Sequence, residues 1–331
     1  MVSTKSISVV IPARNAGRTI SRTLASLISN ALYIKEVIVV DDHSEDDLEK
    51  AVNKFKKLLP KLQIVRSVGT QNPGVARLTG LLMASGEWIT FVDADDCLTP
   101  SSLRYVSKLL TDKVVLLHAK TIYYESGIFD QDNIEYSDES CGGNFYRRQY
   151  LLDHDLVPHI NLPLCEDEYF NRIVSKYINL FDDPETRIAR YDYPVYEVHH
   201  DIEDGKSYAM SNWEDYLIKY HLLCEKCVAD FFHGWKDELE EEYLDNFIFC
   251  YYLLQGLALD QGDEIDLKKC LLCFKDAADY YKEHFQKTSD DIINYYHAHD
   301  GLDVLKSGAV ASTGVEFDEY FNFDEFVEGL E

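Results

Sequence analysis

The stretch from Gly86 to Pro100, GEWITFVDADDCLTP, constrains the fold more than any other. Trp88, Ile89, Phe91 and Val92 form a short apolar run of aromatic and β-branched residues, the pattern of a buried strand. The run leads straight into Asp93, Asp95 and Asp96 and is stopped by Pro100. An apolar strand ended by acids fits a parallel α/β sheet, whose ligands bind beyond the carboxyl ends of the strands. Carboxylate oxygens suit Mg2+ or Mn2+, ions that usually also take substrate phosphates. Taken alone, the same acids would serve as well in a polar turn that caps the next helix.

The preceding residues supply the rest of such a sheet. Ile7 to Ile11 is an apolar strand ended by Pro12, and the loop PARNAG follows. Ile20, Leu24, Leu27 and Ile28 then mark one face of a helix. Glu36 to Val40 is a second strand, ending in Asp41-Asp42. Ser44 and Asp47 have capping-box spacing before a helix with Leu48, Val52, Phe55 and Leu59 on one side. Leu62 to Val65 reads as a third strand. Asn72-Pro73 opens another helix, with Asn as N-cap and Pro in the first turn. This β-α alternation predicts a mostly parallel sheet with helices on both faces. PARNAG is not G-x-G-x-x-G, and there is no P-loop, which argues against a dinucleotide oxidoreductase and a P-loop enzyme.

Composition narrows the partners. The 331 residues allow two domains or one enlarged domain. A net charge of −27 argues against nucleic acid and against docking on an anionic leaflet. An anionic substrate would need a metal or local arginines to overcome that field. The amino terminus is too quickly interrupted by Pro12 to read as a signal peptide, and no apolar stretch approaches the roughly 20 residues of a membrane span. Eight scattered cysteines fit a reducing cytoplasm, with a peripheral place at the inner face of a membrane also compatible.

Four segments now resemble the family 2 glycosyltransferases of the GT-A fold in order and spacing. They are Ser8 to Asn15, Val37 to Asp42 followed by Ser44, Gly74 to Leu81, and Gly86 to Asp96. His43 stands where the family usually has Gly, and the stretch before Arg77 is shortened. The resemblance implies that Pro12, Ala13 and Asn15 line the base and ribose of a nucleotide-sugar. It implies that Asp42, with Asp41, accepts from the base, although either acid alone would serve as a helix-dipole partner. Arg77 would lie near the diphosphate. Asp95 would ligate Mn2+ or Mg2+, and Asp93 would lie nearer the ribose and the metal water.

Beyond Pro100 the sequence is read more coarsely. Leu103, Val106 and Leu109/Leu110 mark a helix and Val114 to Leu117 a strand, while 121–140 is polar, aromatic and without clear period. Gly142-Gly143 and Phe145 to Arg148 resemble the family's acceptor-side segment. Glu166-Asp167 matches its Glu-Asp motif, which makes Asp167, ionised with a near-normal pKa, the base and Glu166 a group for acceptor hydroxyls. Tyr193 to His200 is a last strand ending in two histidines, and by resemblance His199 or His200 completes the metal site. A histidine pair at a strand end is also an ordinary solvated terminus.

After a linker at 203–211 the pattern turns helical. Trp213, Tyr216, Leu217, Tyr220, Leu223, Cys227 and Phe231 form one stripe, a second helix spans about Glu238 to Leu259, and a third starts near Asp266. Cys224-x-x-Cys227 and Cys270-x-x-Cys273 lie inside amphipathic helices without zinc-knuckle glycines and read as buried thiols. The acidic tail carries Phe317, Tyr320, Phe321, Phe323 and Phe326, too many aromatics to leave in water, so it should dock on the helical domain or a partner.

The expectation is therefore a GT-A domain with a donor half at 1–100 and an acceptor half at 101–205, then a C-terminal helical domain at 206–331 that shapes the acceptor site or a homo-oligomer. The expected activity is metal-dependent, inverting sugar transfer from a UDP-sugar to a glycan or glycolipid acceptor, as in surface polysaccharide or lipopolysaccharide synthesis. A GT-A-like nucleotidyltransferase and a catalytically silent scaffold are the alternatives. The first wants glycines that PARNAG lacks, and the second is opposed by intact Asp93, Asp95 and Asp167.

Overall fold

The structure is a computed structural model, described here for residues 7–69, 72–125, 128–136, 140–162, 165–200, 213–261, 267–299, 302–313 and 322–330. The chain divides into two compact units, Met1–Gly205 and Lys206–Glu331. The linker expected at 203–211 lies outside the described residues.

The first unit is built on a nine-stranded sheet. Its strands are β1 (Ile7–Ala13), β2 (Ile34–Asp41), β3 (Gln63–Arg66), β4 (Trp88–Phe91), β5 (Cys97–Leu98), β6 (Leu116–Glu125), β7 (Ile128–Tyr136), β8 (Asn144–Arg147) and β9 (Ile188–His200). The order is β3-β2-β1-β4-β8-β6-β9-β5, with β7 paired to β6. The pairs β3-β2, β2-β1 and β1-β4 are parallel. β8 runs antiparallel between β4 and β6, and β6 pairs with β9 in parallel. The stretch that sequence periodicity left unassigned is thus largely the β6-β7 hairpin.

Both faces of the sheet are covered, which is why its first strands are apolar without alternation. On one face Ile7, Val9 and Ile11 join a core with Ile20, Leu24 and Leu27 of α1 (Ile20–Ile28), Leu48 and Val52 of α2 (Leu48–Asn53) and Leu103 and Val106 of α4 (Leu103–Leu109). On the other, α3 (Pro73–Met83) lies so close to β1 that a Cβ on Gly80 would sit 2.2 Å from Val10 Cγ1. There Phe91 meets Tyr146 and, edge to face at 5.9 Å, Phe170 of α6 (Glu166–Phe181). Short helices α5 (Arg148–Asp153) and α7 (Pro184–Arg187) complete the unit.

At the amino ends of the strands a polar lock holds β1, β2 and the entry to β4. Buried Glu36 accepts from Ser8 Oγ at 2.7 Å, Ser85 N at 2.7 Å and Ser85 Oγ at 2.9 Å. Gly86 N–H in turn donates to Ser8 Oγ at 2.9 Å. Burial pushes the Glu36 carboxyl up, but the bonds from Ser8 and Ser85 outweigh it, and its pKa falls below the ordinary value.

The second unit is helical: α8 (Trp213–Phe231), α9 (Lys236–Gln261), α10 (Leu267–Phe285), α11 (Ser289–Ala298), α12 (Leu302–Thr313) and α13 (Phe323–Glu328). α9 buries Phe247, Ile248, Cys250, Tyr251, Leu253 and Leu254, apolar on every side, as a central helix must be. The stripe expected on α8 holds at Tyr220, which is buried, and is otherwise displaced by about one residue. Ile218, Leu222, Val228 and Phe232 are buried, whereas Leu223, Cys227 and Phe231 are half-buried. Apolar residues stand at both sets of positions, so period alone could not choose the face. The side chains of Trp213, Tyr216 and Leu217 lie outside the described residues. Cys224 and Cys270 are buried, and neither forms a disulfide.

Tyrosine hydroxyls bond helices across this unit: Tyr280 to Asp230 at 2.7 Å, Tyr281 to Glu240 at 2.8 Å and Tyr295 to Asp245 at 2.7 Å. The tail docks on the same helices through Phe323 and Phe326. Phe323 stacks on Tyr296 at 3.9 Å and meets Tyr251, while Phe326 packs on Tyr251 and Phe274. Phe317, Tyr320 and Phe321 lie outside the described residues. No helix among the described residues is long and apolar enough to cross a membrane.

Candidate active site

The site forms at the carboxyl ends of β1, β2 and β4. Ala13 and Asp41 are register partners, and Asp42 N–H donates to Ala13 O at 2.8 Å, so the loop after β1 lies beside the acids after β2. Asn15 takes a left-handed φ of 51°. Its N–H donates to Ser44 Oγ at 2.9 Å, and its Oδ1 accepts from Glu45 N–H at 2.9 Å. Ser44 N–H donates to Asp41 Oδ1 at 2.8 Å. Ser44 therefore braces the loop after β1 instead of closing the expected capping box. α2 starts later, after Asp47, which makes no side-chain cap bond. His43 has a φ of 59°, in the left-handed region where glycine is cheapest, which accounts for the glycine usual at this position.

Asp42 is buried, and its Oδ2 accepts from Asn72 N–H at 2.9 Å. Its Oδ1 is buried without a hydrogen-bond partner, with His43 Nδ1 3.7 Å from it. A buried acceptor left in this state costs free energy that a ligand N–H would recover. Asn72 caps α3 as its sequence predicts, accepting from Val75 N–H at 3.2 Å.

α3 carries Arg77 into the centre of the site. Nη2 donates to Asp93 Oδ1 at 2.8 Å, and Nη1 donates to Glu166 Oε1 at the start of α6. Gly74 permits this approach, since a Cβ there would lie 2.2 Å from His159 O and 3.2 Å from Glu166 Cγ. The structure thus assigns Arg77 and Glu166 a bond to each other, beside the diphosphate and acceptor roles expected of them. Arg77 and Glu166 are buried, while Asp93 and Asp167 are half-buried.

Electrostatics follow from this crowding. Desolvation works against the Arg77 charge, but Asp93 and Glu166 outweigh it and hold the guanidinium protonated. Burial pushes the Glu166 carboxyl up to about 8, with Arg77 pulling down and Asp167 pushing further up. Burial likewise raises Asp167 above its ordinary value, against the pull of Arg77 and with a push from Asp93. That corrects the near-normal value expected for Asp167. Three carboxyl groups thus crowd one guanidinium, and the protonation of Glu166 and that of Asp167 depend on each other.

The acids after β4 divide by partner. Asp96 is buried, and β9 takes both its oxygens: Tyr196 Oη donates to Oδ2 at 2.8 Å and His199 N–H to Oδ1 at 3.0 Å. Asp93 N–H donates to Tyr196 Oη at 3.0 Å. Asp96 therefore pins the motif to β9, and burial with the charges of Asp93 and Asp95 pushes its carboxyl up. Asp95 is exposed, and Arg22 Nη2 holds its carbonyl at 2.6 Å. Asp93 and Asp95 offer the hard oxygens a divalent ion takes, so this donor set fits the metal that the resemblance implies. The His199 ring stacks on Tyr124 at 4.8 Å and faces Glu197. The side chain of His200 lies outside the described residues.

Sequence reasoning missed Tyr196 and the buried thiol of Cys141, which feels the charges of Arg77, Asp167 and Glu166. Nothing local marks Cys141. Tyr196 could have been suspected as an apolar-strand tyrosine whose hydroxyl needs a partner.

Comparison with known proteins agrees with the fold. Residues 8–162 match the sequence model described as glycosyl transferase family 2. The chain is similar to the poly(ribitol-phosphate) beta-N-acetylglucosaminyltransferase TarP of Staphylococcus aureus (strain N315), 29% identical over 220 residues. That alignment covers 61% of this chain and 65% of TarP, just under two thirds of the relative's length. The fold is similar to the crystal structure of S. aureus TarS 1-349 in complex with UDP-GlcNAc, with a TM-score of 0.63, 20% identity and coverage of 95% of this chain and 93% of that one. It is also similar to the mannosyltransferase PcManGT from Pyrobaculum calidifontis in complex with GDP-Man and Mn2+, at a TM-score of 0.51, 14% identity and coverage of 93% and 86%. The first unit has the GT-A fold, and its residues 8–162 are those that match glycosyl transferase family 2.

Proposed function

We propose that the protein transfers a sugar from a nucleoside diphosphate donor, a UDP-sugar by preference, to a hydroxyl of a glycan or glycolipid in surface polysaccharide synthesis, inverting the anomeric carbon. The observation that carries this reading is the Arg77 bridge from Asp93 to Glu166, which brings the end of β4 and the start of α6 into one acid-rich site. The UDP-GlcNAc in the name of the TarS complex and the poly(ribitol-phosphate) in the name of TarP support a UDP-sugar and a surface polymer. The Mn2+ named with PcManGT supports a divalent ion. Eight cysteines without a disulfide among them fit work in a reducing cytoplasm.

In this reading Pro12, Ala13 and Asn15 line the nucleoside, and the orphan Oδ1 of Asp42 accepts the base N–H, with Asp41 holding the loop. Asp95, with Asp93, would hold Mn2+ or Mg2+, and such an ion offsets the charge that builds on the departing diphosphate. Arg77 remains a cation at the same place and orients Asp93. Asp167 takes the proton of the acceptor hydroxyl, and its raised pKa makes it a stronger base near neutral pH. Glu166 holds acceptor hydroxyls. Residues 1–100 serve the donor and 101–205 the acceptor, and the helical unit serves acceptor binding or self-association.

A thermal-shift screen of nucleotide sugars with and without Mn2+ tests the reading. The correct donor at about 100 times its Kd should add roughly 2.7 kcal/mol of stability, and only with the ion. Equal stabilisation in chelator, or none by any nucleotide sugar, contradicts it.

A further inference from the structure

A second group of side chains lies beside the motif that carries Asp95. β5 pairs antiparallel with β9, and Cys97 is the cross-strand partner of Glu197. Glu197 and His199, two apart on β9, share a face of that strand. A ligand atom from each of Cys97, Glu197 and His199 lies within 4.8 Å of the others. His199 Nε2 is buried without a hydrogen-bond partner, and Glu197 Oε2 stands 3.4 Å from it. That spacing is long for a hydrogen bond. It matches two ligand atoms each about 2.0–2.1 Å from one tetrahedral ion, which lie roughly 3.4 Å apart. Tyr124, the register partner of His199, stacks on the imidazole with 5° between the rings and fixes its plane.

We propose that Cys97, Glu197 and His199 bind a thiophilic divalent cation of the zinc class, at a site separate from the donor-site carboxylates. One sulfur, one imidazole nitrogen and one carboxylate oxygen form a set that zinc accepts, with a fourth position left for water. On binding, the Cys97 S–H bond breaks, its proton passes to water, and a sulfur–metal bond forms. Thiolate and carboxylate then offset both charges of the ion. The ion clips β5 to β9, and β5 begins directly after Asp95-Asp96, so it stiffens the turn that presents Asp95. The competing account is a plain His199–Glu197 ion pair with a buried thiol beside it. Engagement of His199 here also withdraws it from the donor-site ion.

Titration of the metal-free full chain with Co2+ separates these accounts, because thiolate-bound cobalt gives near-ultraviolet charge-transfer absorption that carboxylate-bound cobalt lacks. One equivalent should bind with that band. Cys97→Ser should abolish the band, Glu197→Gln and His199→Asn should weaken binding at least tenfold, and Asp95→Ala should leave the band intact. If Cys97→Ser does not fold, as read by circular dichroism, the Glu197→Gln variant carries the test. No charge-transfer band in the wild type, a band that survives Cys97→Ser, or a band lost in Asp95→Ala would overturn the proposal.

Discussion

Two buried glutamates, Glu36 near the amino ends of the strands and Glu166 beside their carboxyl ends, meet opposite fates in one sheet. Glu36 sits among donors: two serine hydroxyls and a backbone N–H satisfy it, and its pKa falls. Glu166 has Arg77 but also Asp93 and Asp167 nearby, and its pKa rises to about 8. Burial works against both charges; at Glu36 the serine donors outweigh it, whereas at Glu166 the pull of Arg77 does not overcome burial and the push of Asp167. The saturated acid holds strands together. The crowded acid is pushed toward its protonated form, in a site where a divalent cation would offset the negative charge of the acids around it.

The contrast is sharpest in turnover. Asp167→Asn keeps the shape of the crowded edge and removes its base, so turnover should fall by about 10²–10⁴ with nucleotide affinity within a few-fold of wild type. The product of the wild type should have the anomeric configuration opposite to the donor's. Near-normal turnover in steady-state assays of the variant would remove Asp167 as the base. Glu36→Ala should do the reverse. It leaves Ser8 and Ser85 donors unpaired and should lower unfolding free energy by about 3 kcal/mol, read by urea denaturation, while the folded protein still binds nucleotide.

A smaller effect separates the two acids by pH. Glu36, with its folded pKa below the ordinary 4.5, contributes stability that is present above that value and is lost as pH falls below it. Glu166 binds a proton in the folded state that the unfolded chain has released between pH 4.5 and about 8. Its contribution therefore weakens as pH rises through that window. Glu166→Gln should flatten the decline in melting temperature between those limits, and Glu36→Gln should soften the loss in acid. An unchanged pH profile in both variants would erase the distinction.

Much of the donor edge was legible because its signals are local. Apolar runs ending at Pro12, Asp41 and Asp93 located β1, β2 and β4, and Asn72-Pro73 located the start of α3. The links between segments were not. Arg77 meets Glu166 across 89 positions, and Tyr196 meets Asp96 across 100, distances over which no periodicity speaks. Ser44 shows the limit of local rules, since the spacing fits a cap but the hydroxyl is taken by Asn15 from another loop. The β6-β7 hairpin lacks an apolar alternation, so pattern did not reveal it.

Calorimetric titration of UDP into the protein with Mn2+, and again in chelator, tests most directly whether the crowded edge is a metal-dependent donor site. Wild type and Glu36→Gln should both bind UDP with Mn2+ and lose most of that affinity in chelator, whereas folded Asp95→Ala should bind equally weakly in both. UDP binding of the same strength in chelator, or in Asp95→Ala with Mn2+ present, would contradict the account.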